Sequence, residues 1–165
     1  MFLFYHRSIQ ASIENNDLNY IISLSTYSLW NNSKYSIGNI YIPQKKHYLQ
    51  HKLAKAEVFT WLSSHTSHLS LLIGDFNTPL EILQNLVSNF DYWHLVKING
   101  SCISWNSGSC SSAIDHAIDN SRMKELILSE FFVNFPPISD HKPLLIFSEE
   151  VPKDSSFVTP KKTVK

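Results

Sequence analysis

Residues 69–79 of the chain read LSLLIGDFNTP, an apolar run that stops abruptly at Gly74 and Asp75. The nearly continuous apolar character of residues 69–73 is typical of a strand buried on both faces. A carboxylate at the end of such a strand is costly unless it is paired, hydrogen-bonded or bound to a metal. Asp75 therefore either caps the turn that follows its strand, as Asp often does, or belongs to a polar site.

The patterns on either side of this stretch predict further strands and helices. A long amphipathic helix is predicted from residue 45 to about 64, because apolar residues recur there at spacings of three and four. Its predicted buried face comprises Leu49, Leu53, Ala56, Phe59 and Leu62. Strands are predicted at 2–5, 20–24, 36–42, 69–73, 114–118, 131–135 and 143–147, and shorter helices at 80–87 and 122–128. This order of elements predicts a layered α/β or α+β domain.

The composition limits the class of protein. The 165 residues are 43% hydrophobic and 13% aromatic, which predicts one packed domain and excludes a disordered or fibrous chain. Lys+Arg and Asp+Glu both number 14, so the simplest argument for nucleic-acid binding, a strongly basic domain, is missing. No apolar run approaches the length of about 20 residues that spans a membrane. The N-terminus does not resemble a secretory signal, so we expect an intracellular protein of the nucleus or cytoplasm.

The last residues differ in composition from the rest. From residue 149 onward Pro, Ser, Thr and Lys dominate. We therefore expect a domain of residues 1–148 and a disordered tail or linker of residues 149–165.

Polar side chains interrupt three apolar strands at their ends, in residues 74–77, 114–116 and 139–141 (GDFN, IDH and SDH). Each segment alone is explained by a turn or a strand-end ion pair. Together, they supply an Asp next to an Asn, which can hold a water or a phosphate oxygen, and an Asp beside a His, which can exchange a proton near neutral pH. Carboxylates without a Cys ligand suit Mg²⁺ or Mn²⁺ better than zinc. These residues predict metal-assisted attack of water on a phosphate ester.

The same segments resemble the endonuclease/exonuclease/phosphatase family in their order and rough spacing. The matching stretches are LLIGDFNTP at 71–79, SAIDH at 112–116 and ISDHKP at 138–143. In addition, GNIYIP at 38–43 is similar to the family's Asn-x-Tyr-x-Pro strand. The match covers about residues 2–147 and looks most like the branch found in LINE-type retrotransposons. It implies an α/β fold, a two-sheet sandwich of the DNase I-like type, with the site where these loops meet.

The resemblance implies a role for each matching residue. Asp75 would orient or deprotonate the attacking water, and Asn77 would bind the scissile phosphate. Tyr41 would contact the same phosphate or the leaving group. His141 would stabilise the charge that develops on phosphorus, and Asp115 would support His141.

The resemblance also implies a cofactor, a substrate and further site residues. Asp140 and Asp75 would be ligands of Mg²⁺ (or Mn²⁺), although Asp140 could instead orient the neighbouring His. Trp105 and Ser112 are further candidates to contact the substrate. The implied activity is metal-dependent phosphodiester hydrolysis by a DNA endonuclease, of a type that can be fused to, or derived from, a larger reverse-transcriptase polyprotein.

The chain departs from the family at its start. The family begins with a strand carrying an Asn and a second strand carrying a metal-binding Glu, and neither has a match here. Glu14 and Asp17 lie in a predicted turn, so neither is assigned to the metal. The resemblance thus implies a truncated copy that lacks the first strands. Two alternatives stay open: a catalytically dead remnant, or another branch of the family that acts on phosphoinositides, sphingomyelin or RNA ends.

Several histidines and tryptophans have a plainer interpretation. His47 and His51 stand four apart, the spacing of a zinc pair, but no third ligand accompanies them, so both are expected to face solvent. His65 is expected at the surface as well. Trp61 and Trp93 are expected in the core.

Overall fold

The computed structural model describes residues 11–14, 17–27, 33–97, 103–124, 127–132 and 139–148. In chain order the elements are β1 (Ala11–Ile13), β2 (Ile21–Tyr27), β3 (Lys34–Tyr41), α1 (Tyr48–Ser64), β4 (Leu69–Asp75), α2 (Leu80–Val87), β5 (Trp93–Leu95), β6 (Trp105–Ser107), β7 (Cys110–Ser112), β8 (Asp115–Asn120), α3 (Ser121–Lys124), β9 (Ile127–Phe132) and β10 (Leu144–Ser148). The chain therefore has the mixed α/β fold predicted from its sequence.

A six-stranded sheet in the order β1-β2-β3-β4-β8-β5 forms the centre of this structure. β3 and β4 are parallel, with Tyr41 opposite Asp75, and α1 lies between them in sequence. β8 runs antiparallel to β4, with Asp115 opposite Asp75. Because two parallel strands end where an antiparallel strand begins, these three side chains lie at one edge of the sheet. The hairpins β9-β10 and β6-β7 form two small separate sheets.

Apolar residues pack on both faces of the central sheet, since neighbouring residues of a strand point to opposite faces. One cluster joins Ile40 and Leu72 to α1 and α2. The other joins Leu71 and Ala117 to Leu144 of β10. Trp61 and Trp93 are buried in the first cluster, as predicted. The sheet is thus an inner layer, with α1 and α2 on one side and α3 and the β9-β10 hairpin on the other.

The buried face of α1 differs from the predicted one. The helix exposes four of the five residues expected to be buried: Leu49, Leu53, Ala56 and Phe59. It buries Leu62, as predicted, together with His51, Ala54, Val58 and Trp61. Two polar contacts accompany this orientation: the Trp61 indole donates to Ser23 Oγ at 2.6 Å, and Nδ1 of His51 lies 2.7 Å from the Pro43 carbonyl oxygen. The expectation that His51 faces solvent was therefore wrong, whereas His47 is exposed.

Other differences involve short elements. The helix predicted at 122–128 ends at Lys124, because β9 begins at Ile127 and pairs with β10. β1, β5, β6 and β7 have three residues each, too few for a periodic pattern to be recognised. The predicted strand at 2–5 and the predicted tail at 149–165 lie outside the described residues. Within the described ranges, no helix is both long and apolar enough to cross a membrane.

Candidate active site

A pocket of about 550 Å³ opens at the edge of the sheet where β3 and β4 end and β8 begins. Four of the predicted site residues line it: Tyr41, Asp75, Asp115 and His141. They come from three strands and from the loop before β10. The fold therefore brings together residues that are far apart in sequence, while their catalytic roles stay predictions.

Asn77 lies in the turn after β4 and folds back on Asp75. Its backbone N–H donates to Asp75 Oδ1 at 2.8 Å, and its side-chain Nδ2 donates to Oδ2 at 3.0 Å. Nδ2 also donates to the carbonyl oxygen of Ile42 at 2.8 Å. The turn requires a φ of 43° at Asn77, in the left-handed region that Asn tolerates better than most residues. Asp75 thus both caps a turn and faces a pocket, so the two interpretations of its sequence position are compatible.

The environment of Asp75 favours its protonated form. The pKa of the Asp75 carboxyl is raised to about 6, chiefly by burial and also by the negative charge of Asp115. The hydrogen bonds from Asn77 and the nearby His141 act in the opposite direction without cancelling the effect. A carboxyl group that titrates near neutral pH is suited to accept a proton from water.

Gly74 precedes Asp75 and allows β3 to approach β4 closely. A Cβ atom at this position would lie 2.1 Å from the carbonyl oxygen of Ile40, and the φ of 146° strongly favours glycine. The backbone itself therefore sets the spacing between the ends of the two strands.

His141 and Asp115 form an ion pair or a neutral hydrogen bond, depending on the protonation of the imidazole. His141 Nδ1 lies 2.8 Å from Asp115 Oδ2. The backbone N–H of His141 donates to Ser139 Oγ at 3.0 Å, which fixes the loop. With Nδ1 facing the carboxylate, Nε2 is the ring nitrogen that can meet a substrate.

Ser104 connects the start of the strand that carries Asp115 with the loop that carries His141. The sequence analysis did not identify Ser104 as a site residue. It is fully buried, and its Oγ accepts hydrogen bonds from the backbone N–H groups of Ile114 at 3.1 Å and Asp115 at 3.0 Å. Its carbonyl oxygen accepts from the N–H of Lys142 at 2.7 Å. The start of β8 and the loop carrying His141 are therefore attached to one residue. The only signal in the sequence is a small hydroxyl residue before Trp105.

Besides Asn77, three predicted site residues do not line the pocket: Trp105, Asp140 and Ser112. The Trp105 indole donates to Asp140 Oδ2 at 2.7 Å, and this hydrogen bond is the main reason that the pKa of the exposed Asp140 carboxyl is lowered. The Ser112 carbonyl oxygen accepts from the N–H of Ser104 at 3.1 Å. Asp115, and not Asp140, is the carboxylate whose negative charge raises the pKa of Asp75. Asp140 as a metal ligand stays a prediction.

The donor atoms in the pocket fit a hydrated Mg²⁺ or Mn²⁺ ion. Asp75 and Asp115 stand directly opposite each other on neighbouring strands, an arrangement of like charges that a cation would stabilise. Mg²⁺ binds through one or two carboxylates and keeps several waters. No group of three or more His, Cys, Asp or Glu side chains that could hold a metal occurs within the described residues. Two carboxylates with waters are therefore the donor set this pocket offers.

Glu14 lies away from this pocket. Its carboxylate accepts from Ser36 Oγ at 3.0 Å and lies 3.0 Å from His65 Nε2. His65 in turn stacks on Trp61 with a ring-centroid distance of 4.3 Å, so it is more enclosed than expected. These contacts support leaving Glu14 out of the metal site.

The chain was compared with known proteins. No protein-family model matches it, and no curated protein matches it either. Among solved structures, the endonuclease domain of TRAS1, a telomere-specific non-LTR retrotransposon, superposes with a TM-score of 0.63 at 13% identity, over 86% of this chain and 68% of that one. The 3′-5′ exonuclease NExo from Neisseria meningitidis gives a TM-score of 0.61 at 14% identity, over 86% and 72%.

A third solved structure carries the name of the resembled family. It is an endonuclease/exonuclease/phosphatase family protein from Leptotrichia buccalis, with a TM-score of 0.57 at 16% identity, over 79% of this chain and 54% of that one. At such identities the likeness concerns the fold. The chain has the DNase I-like α/β fold of these endonuclease, exonuclease and phosphatase structures.

Proposed function

We propose that the chain is a metal-dependent phosphodiesterase that cleaves DNA, an endonuclease of the retrotransposon type. The observation that carries the proposal is the 2.8 Å contact between His141 and Asp115 in the same pocket as Asp75, whose pKa is raised to about 6. A proton acceptor and an oriented imidazole at one site are the groups that hydrolysis of a phosphate ester needs. The fold shared with the TRAS1 endonuclease domain supports the choice of an endonuclease of the retrotransposon type.

Each pocket residue has a distinct task in this mechanism. The ionised Asp75 accepts a proton from the attacking water or orients it. Nε2 of His141 faces the phosphate and stabilises the charge that develops there, while Asp115 holds the ring through Nδ1. The hydroxyl of the half-exposed Tyr41 contacts the same phosphate. Mg²⁺ or Mn²⁺ bound at Asp75 with Asp115 or Asp140 would neutralise phosphate charge.

Asn77 would act first on Asp75 and only then on the substrate. Both of its amide hydrogens are already used, one by Ile42 and one by Asp75. Contact with the scissile phosphate therefore requires one of these hydrogen bonds to be exchanged. The bond to Asp75 is the one that weakens when that carboxylate takes up a proton, so Asn77 can release it as the reaction proceeds.

Nicking of supercoiled plasmid by the full chain, with Mg²⁺ and with EDTA, tests the proposal. The variants Asp75→Asn and His141→Ala are expected to abolish nicking, whereas the matched controls Asp91→Asn and His47→Ala, at exposed positions, retain it. Nicking that survives both site variants, or that is unaffected by EDTA, contradicts the proposal.

The zero net charge favours a second candidate, a phosphatase or phosphodiesterase of another branch, because a DNA-binding domain is more often basic. Such an enzyme would hydrolyse a soluble phosphoinositide and leave the plasmid intact. A catalytically dead remnant would do neither, and Mg²⁺ would not raise its melting temperature, since only an ion that binds the native state does so.

A further inference from the structure

Two polar side chains of the pocket, Asn39 and Lys142, have no task in the mechanism above. Asn39 lies on β3, two residues before Tyr41 and on the same face of the sheet. It is 8% exposed, and within the described ranges its carboxamide makes no hydrogen bond. Among the described residues, the enclosed side-chain atoms without a partner do not include those of Asn39, so its amide is accessible from the pocket and can form hydrogen bonds with a ligand.

Lys142 supplies a positive charge to the same pocket. It follows His141 directly, and its N–H donates to the Ser104 carbonyl oxygen at 2.7 Å, so its backbone is fixed. In the part of the chain that the structure describes, ion pairs within 4.0 Å form at Glu14 and Asp115 and none involves Lys142. Lys142 therefore lines a pocket that contains carboxylates, and within the described residues its ammonium group is paired with none of them.

The pocket extends beyond the space that a single phosphate would fill. Its volume of about 550 Å³ lies in the usual range for sites that enclose whole small ligands. The lining also includes the apolar surfaces of Ile73, Pro143 and Leu144, which suit a sugar or base rather than a second charge. A substrate that carries such units together with phosphates matches this mixed lining.

We propose that Lys142 and Asn39 bind a second phosphate of a polynucleotide substrate, next to the phosphate on which Asp75 and His141 act. The Lys142 ammonium group provides the charge, and the Asn39 amide donates a hydrogen bond. This inference rests on the proposed function. It predicts that the pocket binds a substrate with several linked phosphates rather than an isolated phosphate ester.

Binding without turnover tests the inference separately from catalysis. The affinity of the full chain for a short labelled DNA duplex is measured in EDTA between about 50 and 200 mM salt. Each phosphate contact made by a cation contributes about 0.9 to the slope of log affinity against log salt. Lys142→Met is expected to lower the magnitude of that slope by about one. Lys124→Met, an exposed lysine at the opposite end of the sheet, leaves the slope unchanged.

Asn39 is tested by two variants that differ in charge. Asn39→Leu removes the donor and is expected to weaken binding without changing the slope, because the amide displaces no counterion. Asn39→Asp places a negative charge against the phosphate and weakens binding more strongly. If Asn39→Asp binds the duplex as well as the wild type does, the second phosphate does not contact this residue and the inference is wrong.

The remaining outcomes separate the two proposals. A duplex that binds with the expected slopes but is not nicked in Mg²⁺ overturns the proposed activity and supports the inference. Nicking with equal slopes for Lys142→Met and wild type supports the activity and overturns the inference. If inositol trisphosphate displaces the duplex more effectively than unlabelled duplex does, the pocket belongs to a different substrate class and the polynucleotide assignment fails.

Discussion

The Nδ1 atom of His141 lies 2.8 Å from the Asp115 carboxylate, although the two residues are 26 positions apart. Asp115 is also the residue that faces Asp75 across the pairing of β8 with β4. One carboxylate therefore orients the imidazole and influences the proton affinity of the other carboxylate. In the proposed mechanism, proton acceptance by Asp75 and charge stabilisation by His141 would therefore be coupled through Asp115.

Asp115→Asn should lower plasmid nicking by about 10²-fold or more, because the neutral amide no longer fixes and stabilises the imidazole. The variant is nearly isosteric, so its melting temperature should change little. If the pair acts as a unit, Asp115→Asn combined with His141→Ala should be no slower than His141→Ala alone. Losses that multiply in the double variant would show that the two residues act independently.

Asp75→Asn should stabilise the chain at alkaline pH while removing its activity. The pKa of Asp75 is raised to about 6, so ionisation costs native-state stability; the cost is absent below the ordinary value near 3.8 and fully present above about 6. Thermal unfolding without divalent ions should show a higher melting temperature for the variant at pH 8 and little difference at pH 4. Equal differences at both pH values would mean that this carboxyl is not perturbed.

The same shift predicts how nicking depends on pH. The pKa of Asp75 without a metal is about 6, and a bound cation lowers the pKa of a carboxylate ligand. If the ionised form of Asp75 accepts the proton, the nicking rate in Mg²⁺ should therefore fall as the pH drops, with its limit below about 6. Rates in Mg²⁺ across this range, with wild type and Asp91→Asn in parallel, provide the measurement. A rate that rises as the pH falls would assign Asp75 the opposite role.

Asn77→Gly and Asn77→Ala should separate the backbone of the turn from the amide. Both variants lose the side-chain hydrogen bonds to Asp75 and Ile42 and keep only the backbone N–H bond to Asp75, so both should be inactive in nicking. Glycine accepts a φ of 43°, whereas alanine is strained there by about 1 kcal/mol. Denaturant unfolding should therefore find Asn77→Ala less stable than Asn77→Gly, and the reverse order would refute the role of the backbone.

Ser104→Ala should reduce both stability and activity. It leaves two backbone N–H groups, those of Ile114 and Asp115, without their acceptor, at a cost of about 1–3 kcal/mol for a buried group. Ser109→Ala, in the exposed turn between β6 and β7, is the matched control. Ser104→Thr keeps the oxygen and should retain more nicking than Ser104→Ala; equal activity of the two would assign Ser104 no positioning role.

Strand ends were the informative positions in the sequence. Asp75 and Asp115 each adjoin an apolar run, and a polar group there requires a partner, so their proximity could be predicted without coordinates. The contact partners were harder to predict. Whether Asp140 meets a metal or an indole depends on where β6 places Trp105, and a three-residue strand has no periodic pattern.

The orientation of α1 shows a second limit of prediction from local sequence patterns. Apolar residues occur around most of this helix, so spacing alone did not select the buried face. The choice depended on Trp61, which packs in the core and donates to Ser23 on a strand 38 residues earlier. Contacts of that separation are invisible to a local pattern.

Substitutions at Gly74 and at Asp75 have different consequences: the first disrupts the fold, whereas the second removes only the proposed activity. Any other residue at this position would force apart the backbones of β3 and β4, whereas replacement of the adjacent Asp75 leaves the strand pairing intact. Copies of this chain that decay by mutation should therefore lose Asp75 and His141 long before they lose Gly74, provided that they still fold. A sequence that retains Gly74 but has lost Asp75 would therefore belong to a copy that still folds and has lost the proposed activity.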